Sequence, residues 1–123
     1  MSYETAAHGA FVNADVDTIE ELATINTRAA EFLFVTFVVG TANLSDFLVE
    51  ARVHPSGGWA VVATATGDFT TPVHPVIKAS SDLNAAASGA TVHWLKLDVA
   101  AFYEVRLSAA GTSSTVTGNW GVQ

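Results

Sequence analysis

The sequence predicts an all-β chain folded as an antiparallel β-sandwich. Three observations carry that expectation. Between Glu31 and Thr66, three runs (Phe32–Val39, Asp46–Val53 and Trp59–Thr66) are separated by the turn clusters Gly40-Thr41-Ala42-Asn43 and Pro55-Ser56-Gly57-Gly58. This reads as an antiparallel meander. The chain is 50% hydrophobic but only 14% charged, and leans on Ala, Val, Thr, Ser and Gly. Small and β-branched residues with frequent turns suit two packed sheets. Turn signals recur along the whole length, so that about seven to nine short strands fit.

Length and composition bound the rest. A chain of 123 residues is expected to form one domain over 1–123. At that size, folding buries roughly two-thirds of the surface, enough for a core without staples. Cysteine is absent, which removes disulfides and thiolate metal sites. The formal charge of −7 and the pI near 4.7 argue against nucleic acid, which needs a basic stripe, and against an anionic membrane surface. Charge is also uneven. Glu4, Asp15, Asp17, Glu20 and Glu21 all precede Arg28, the first basic residue. The acidic segment reads as a solvated edge that resists sheet aggregation, with a contact for a basic partner as the sharper alternative. Little charge with much apolar content points to an exterior partly covered by partners. Met-Ser-Tyr-Glu opens without a basic or apolar leader pattern. The longest apolar run, Phe32–Val39, is too short to span a membrane.

In chain order, Ser2–Asn13 reads as an arm or first strand anchored by Phe11 and Val12. Val16–Thr27 reads as a strand or extended stretch. A short helix is the alternative, because Thr18-Ile19-Glu20-Glu21 fits a capping box. Phe32–Val39 is apolar on both faces, with Thr36 the one interruption. Such a strand is covered on both sides. One cover is the core; the other is a second subunit or a lid from the same chain. Asp46–Val53 alternates Phe47, Val49, Ala51 and Val53 against Leu48, Glu50, Arg52 and His54. Trp59–Thr66 alternates too, with both faces fairly apolar. Gly67–Pro75 is loop-like, Val76–Ser80 a short edge strand, and Ser81–Gly89 a surface connection. Thr91–Val99 places His93, Leu95, Leu97 and Val99 on one face. The next run places Tyr103, Val105, Leu107 and Ala109 on one face, and the two together suggest a tight hairpin. Gly111-Thr112-Ser113-Ser114 turns the chain into a closing strand, Thr115–Trp120.

No reaction chemistry stands out. His8, His54, His74 and His93 show no metal-ligand spacing; each is expected in a turn or on an exposed face. Asp15, Asp17 and Glu20 could offer oxygens to calcium, but the twelve-residue calcium loop is absent. There is no Gly-x-Ser-x-Gly elbow and no phosphate loop. The expectation is a non-enzyme with no cofactor and no metal. Trp59, Trp94 and Trp120, with Tyr3 and Tyr103, suit a sugar-stacking face. The plainer reading has Trp59 and Trp94 closing the core edges. Trp120 packs on the body or docks to a neighbour.

Glu31-Phe32-Leu33-Phe34-Val35-Thr36-Phe37-Val38-Val39-Gly40 leads into Leu44-Ser45-Asp46-Phe47. Later come Trp94-Leu95-Lys96-Leu97-Asp98-Val99, Glu104-Val105-Arg106-Leu107-Ser108-Ala109 and Ser114-Thr115-Val116-Thr117-Gly118. From Glu31 to Gly118 this pattern resembles small β-sandwich structural proteins of tailed bacteriophages and prophages. The resemblance implies a jelly-roll-like sandwich with an N-terminal arm. It also implies a virion component made in the host cytoplasm: a capsid decoration (cement) protein or a small tail protein. The partner would be the phage major capsid protein or another virion protein, and the chain itself a homo-oligomer, a trimer. The expected contact residues are Phe11, Val12, Phe34 and Trp120. A carbohydrate-binding or receptor-binding module is the alternative.

Overall fold

Alternation of apolar and polar residues sets the buried face of each strand, but not its neighbour. The neighbours are seen in the computed structural model, which describes residues 7–64, 67–71 and 74–123. Among these, nine strands form: β1 (Ala7–Val16), β2 (Glu20–Asn26), β3 (Phe32–Gly40), β4 (Leu44–Arg52), β5 (Ala60–Ala63), β6 (Ile77–Ala79), β7 (His93–Asp98), β8 (Glu104–Gly111) and β9 (Ser114–Val122). They lie in two antiparallel sheets, ordered β1-β9-β3-β7-β6 and β2-β8-β4-β5. β1 pairs with β9, β2 with β8, β3 with β7, and β4 with β5. This is one long hairpin wrapped over itself, the jelly-roll arrangement. β6 is an added edge strand beside β7.

Because the long hairpin wraps, successive strands often change sheets, and two expected pairings are overturned. β3 and β4 are not meander neighbours: β3 lies in the five-stranded sheet and β4 in the four-stranded one. The turn between them includes Thr41 at φ 72°, a left-handed conformation that lets the chain turn sharply across the gap of about 10 Å between sheets. β7 and β8 are likewise in opposite sheets rather than a tight hairpin. β4 and β5 do pair as expected. In the loop between them, the Gly57 N–H donates to the His54 carbonyl at 2.9 Å. The ambiguous Val16–Thr27 segment forms β2, a strand. β5 is shorter than Trp59–Thr66, with Trp59 ahead of it; Ala65 and Thr66, like Pro72 and Val73 of the expected loop and residues 1–6 of the expected arm, lie outside the described residues.

The core lies between the sheets. Leu33, Val35, Phe37 and Val39 point into it from β3, and Phe47, Val49 and Ala51 meet them from β4. Each large side chain removed from water contributes about 1.5–3 kcal/mol. Phe37 and Phe47 stack across the sheets at 5.4 Å between ring centroids, and Phe69 meets Phe47 edge-on at 5.7 Å. Ser81–Gly89 is not merely a surface connection. It contains a short 3-10 turn, Leu83–Ala85, and Leu83, Asn84 and Ala86 are buried. The segment is held by the Leu44 N–H to the Ala86 carbonyl and the Gly89 N–H to the Val39 carbonyl, both at 2.9 Å. Small apolar residues there let backbone approach backbone.

Candidate interaction surface

The two outer faces of the sandwich differ in chemistry. On the four-stranded sheet, Glu50 sits opposite Arg106 and Arg52 opposite Glu104 across the β4–β8 ladder. Arg106 Nε donates to Glu50 Oε1 at 2.9 Å, and Arg52 Nε to Glu104 Oε1 at 2.8 Å. Trp59 covers both guanidinium groups, whose carbons lie 4.8 Å (Arg52) and 4.4 Å (Arg106) from its ring centroid. Charge on this face is neutralised within the chain.

The outer face of the five-stranded sheet is largely apolar and carries Lys78 and Lys96, with Asp98 on the same face two residues beyond Lys96. Phe32, Phe34, Thr36 and Val38 point outward from β3, because Leu33, Val35, Phe37 and Val39 point inward. Phe34 is 48% exposed and stacks on Trp94 of β7, itself 37% exposed, at 6.1 Å. Val92 lies beside Thr36 and Val38. Lys96 places its Nζ 4.5 Å from the centre of the Phe32 ring. Lys78 sits directly opposite Lys96 on the β6–β7 ladder. Neither lysine belongs to an ion pair among the described residues. Shallow grooves run between Phe32, Phe34 and Lys96 and between Trp94, Lys78 and Phe69.

The four expected contact residues separate into two pairs. Phe34 is exposed as described, and Val12 is 69% exposed on β1. Phe11 is 6% exposed and belongs to the core. It lies over Gly118, where an added Cβ would stand 2.8 Å from its ring. Trp120 pairs across the ladder with Gly9 and packs partly buried on the core edge. Its ring fills the space that a Cβ at Gly9 would take, 2.5 Å away. Trp120 therefore packs on the body. Trp59 and Trp94 do not close the core edges: each lies on an outer face, on opposite sides of the sandwich. Sequence reasoning named Trp94 as a sugar-stacking or core-edge ring and missed Lys78 and Lys96. Lys96 stood at an outward position of Thr91–Val99 and Lys78 in the expected edge strand Val76–Ser80, but that these two strands pair was not known.

His54, His74, His93 and Asp17 make local contacts. His54 Nδ1 accepts from the Ser56 N–H at 3.1 Å, and His74 Nδ1 from the Val76 and Ile77 N–H groups at 3.1 Å each. Both are turn residues, and His8 is exposed on β1. His93 departs from expectation. It is buried against Phe37, and its Nε2 lies 2.9 Å from the Ala87 carbonyl. Asp17 Oδ1 accepts the Ser113 N–H at 2.7 Å, which ties the β1–β2 turn to the β8–β9 turn. Among the described residues, no three His, Asp or Glu side chains gather as a metal site.

No family model and no curated protein sequence matches this chain. Its fold is similar to that in the crystal structure of SPBc2 prophage-derived protein YomS. The TM-score is 0.58 at 12% sequence identity, over 95% of this chain and 94% of that one. At that identity the likeness is one of fold.

Proposed function

We propose that this chain is a non-enzymatic structural protein of a bacteriophage virion, a decoration protein that stabilises the capsid by bridging coat subunits. The observation that carries the reading is the uncovered apolar face of the five-stranded sheet, centred on the Phe34–Trp94 stack. Such a face is costly to leave in water and is a feature of surfaces that meet another protein. The jelly-roll fold shared with a prophage-derived protein supports a phage context. Phe34 and Val12 remain the contact residues; Phe11 and Trp120 serve the fold. The working form is a trimer, whose valency multiplies a modest contact into lasting attachment.

The test is to band particles of the encoding phage or induced prophage on a density gradient and probe each fraction for the chain. It is expected to travel with assembled heads and not with free coat subunits. Absence from the particle band, or equal binding to heads and free coat, would overturn the reading.

A second reading is favoured by one feature, the paired rings of Phe34 and Trp94 on a flat face, which suit stacking against sugars. Quenching of Trp fluorescence by oligosaccharides, lost in Trp94→Ala, would support a tail or receptor-binding module instead.

A further inference from the structure

We infer that the Phe34–Trp94 face is the seat for a second copy of this chain, which docks its acidic β1–β2 corner there head to tail. The inference rests on the proposed assembly role and names the contact between subunits.

One copy carries both halves of the contact. The seat has an apolar centre, Phe34 and Trp94, flanked by Lys78 and Lys96. Two ammonium groups directly opposite each other on adjacent strands repel. In a chain of net charge −7, no described carboxylate forms an ion pair with either. A counter-charge brought by a partner would relieve that repulsion. The β1–β2 corner has the converse pattern. Ile19 is 49% exposed at its tip, with Asp15 and Glu20 exposed around it. An apolar tip beside two carboxylates complements in sign an apolar seat beside two lysines, whose groove also holds Asp98.

The two halves cannot meet within one copy. β1 and β6 are the opposite edges of the five-stranded sheet, and β7 is three strands from β1, about 14 Å at the usual strand spacing. Asp15 aligns through Thr115 with Gly40, whereas Lys96 aligns with Phe34. Those levels are six residues apart along β3, about 20 Å. Corner and seat therefore lie on a diagonal of the molecule. Contacts that join such different surfaces are heterologous: they repeat from copy to copy and close into a ring when the rotation allows. The corner is held within its own copy before any contact, because Asp17 Oδ1 accepts the Ser113 N–H.

Net charge works against self-association, and salt tells the two effects apart. At physiological ionic strength screening acts within about 8 Å. Close opposite charges weaken as salt rises, whereas association limited by overall repulsion would strengthen.

The experiment is light scattering on the purified full-length chain across concentration and salt, with three charge variants. Lys78→Glu/Lys96→Glu reverses the seat, Asp15→Lys/Glu20→Lys reverses the corner, and the fourfold variant reverses both. The altered side chains are exposed or half-exposed, and circular dichroism checks the fold. Wild type is expected to self-associate, less so at high salt. Each double variant is expected to associate roughly tenfold or more weakly. The fourfold variant is expected to recover the wild-type mass. A wild type that stays monomeric, a mass that rises with salt, double variants that keep the wild-type mass, or a fourfold variant that does not recover would each overturn the inference. Head binding by a monomeric wild type would leave the decoration role standing while removing this contact.

Discussion

The stability of the sandwich should depend most on Phe47. Its ring is fully buried, stacks on Phe37 from the opposite sheet, and receives the edge of Phe69 from the loop after β5. One side chain thus joins both sheets and a loop. Phe47→Ala removes the ring and leaves a cavity, at a cost of about 3–5 kcal/mol. Part of that is the aromatic pairing itself, about 0.5–1.5 kcal/mol per pair. Domains of this size have about 5–15 kcal/mol in all, so the variant should remain folded in water with most of its margin gone. The assay is urea unfolding followed by circular dichroism. With a slope of about 2 kcal/mol per molar urea, a loss of about 4 kcal/mol moves the midpoint down by about 2 M at unchanged slope. Phe47→Leu keeps most of the volume and loses the stacking, so it should fall by only about 1.5 kcal/mol. A loss under about 1 kcal/mol for Phe47→Ala would refute the reasoning, because it would mean that the two sheets do not depend on this contact.

Four further outcomes follow from single contacts. Gly118→Val should destabilise by about 1–3 kcal/mol through overpacking, because its Cβ would stand 2.8 Å from the Phe11 ring and 2.7 Å from Phe37 Cβ; a melting temperature equal to wild type would contradict this. Phe34→Ala should change stability by about 1 kcal/mol or less yet break the contact between copies and, with the loss of valency, weaken attachment to heads; a variant that keeps the wild-type mass would remove Phe34 from the contact. Arg106→Ala should cost about 1–2 kcal/mol, since it removes a part-buried pair with Glu50 and the stacking under Trp59; it should also shift the Trp59 indole resonance, and an unmoved resonance would count against the stacked geometry. His93→Ala should speed amide exchange at Gly89, because the ring holds the Ala87 carbonyl at 2.9 Å; unchanged protection there would show that the segment is held by other contacts.

The expectation for β3 shows how far sequence reasoning reached. With both faces of Phe32–Val39 apolar, the sequence did not say which is inward; the structure puts Leu33, Val35, Phe37 and Val39 in the core and Phe34 outside, the two sets that pleating separates. The same logic marked the doubly apolar strand as having a second face in need of cover. It failed for Phe11, which looked like an arm anchor. Its burial depends on Gly118, more than a hundred residues later, leaving room for its ring. For His93 alternation was right, since it shares the buried face of Leu95, Leu97 and Val99; the expectation of a turn or exposed site failed, because burial of an imidazole depends on a carbonyl brought by a neighbouring loop.

Half of the candidate surface was legible. Phe34 and Val12 could be named from the sequence. Trp94 was named as a stacking ring but not as Phe34's partner, and Lys78 and Lys96 were not named, because the four come together only when β6 and β7 pair and β7 lies beside β3. Composition and alternation by themselves determined the all-β class, the approximate place of most strands and which residues share a face, since each follows from a few consecutive side chains. Only the tertiary structure decided that β1 closes against β9, that β3 and β4 part into different sheets, and that two lysines meet beside a stacked Phe and Trp. Strand pairing is non-local: hydrogen-bonded ladders form between any two extended segments, and the choice among them is made by how both faces of all the strands pack at once.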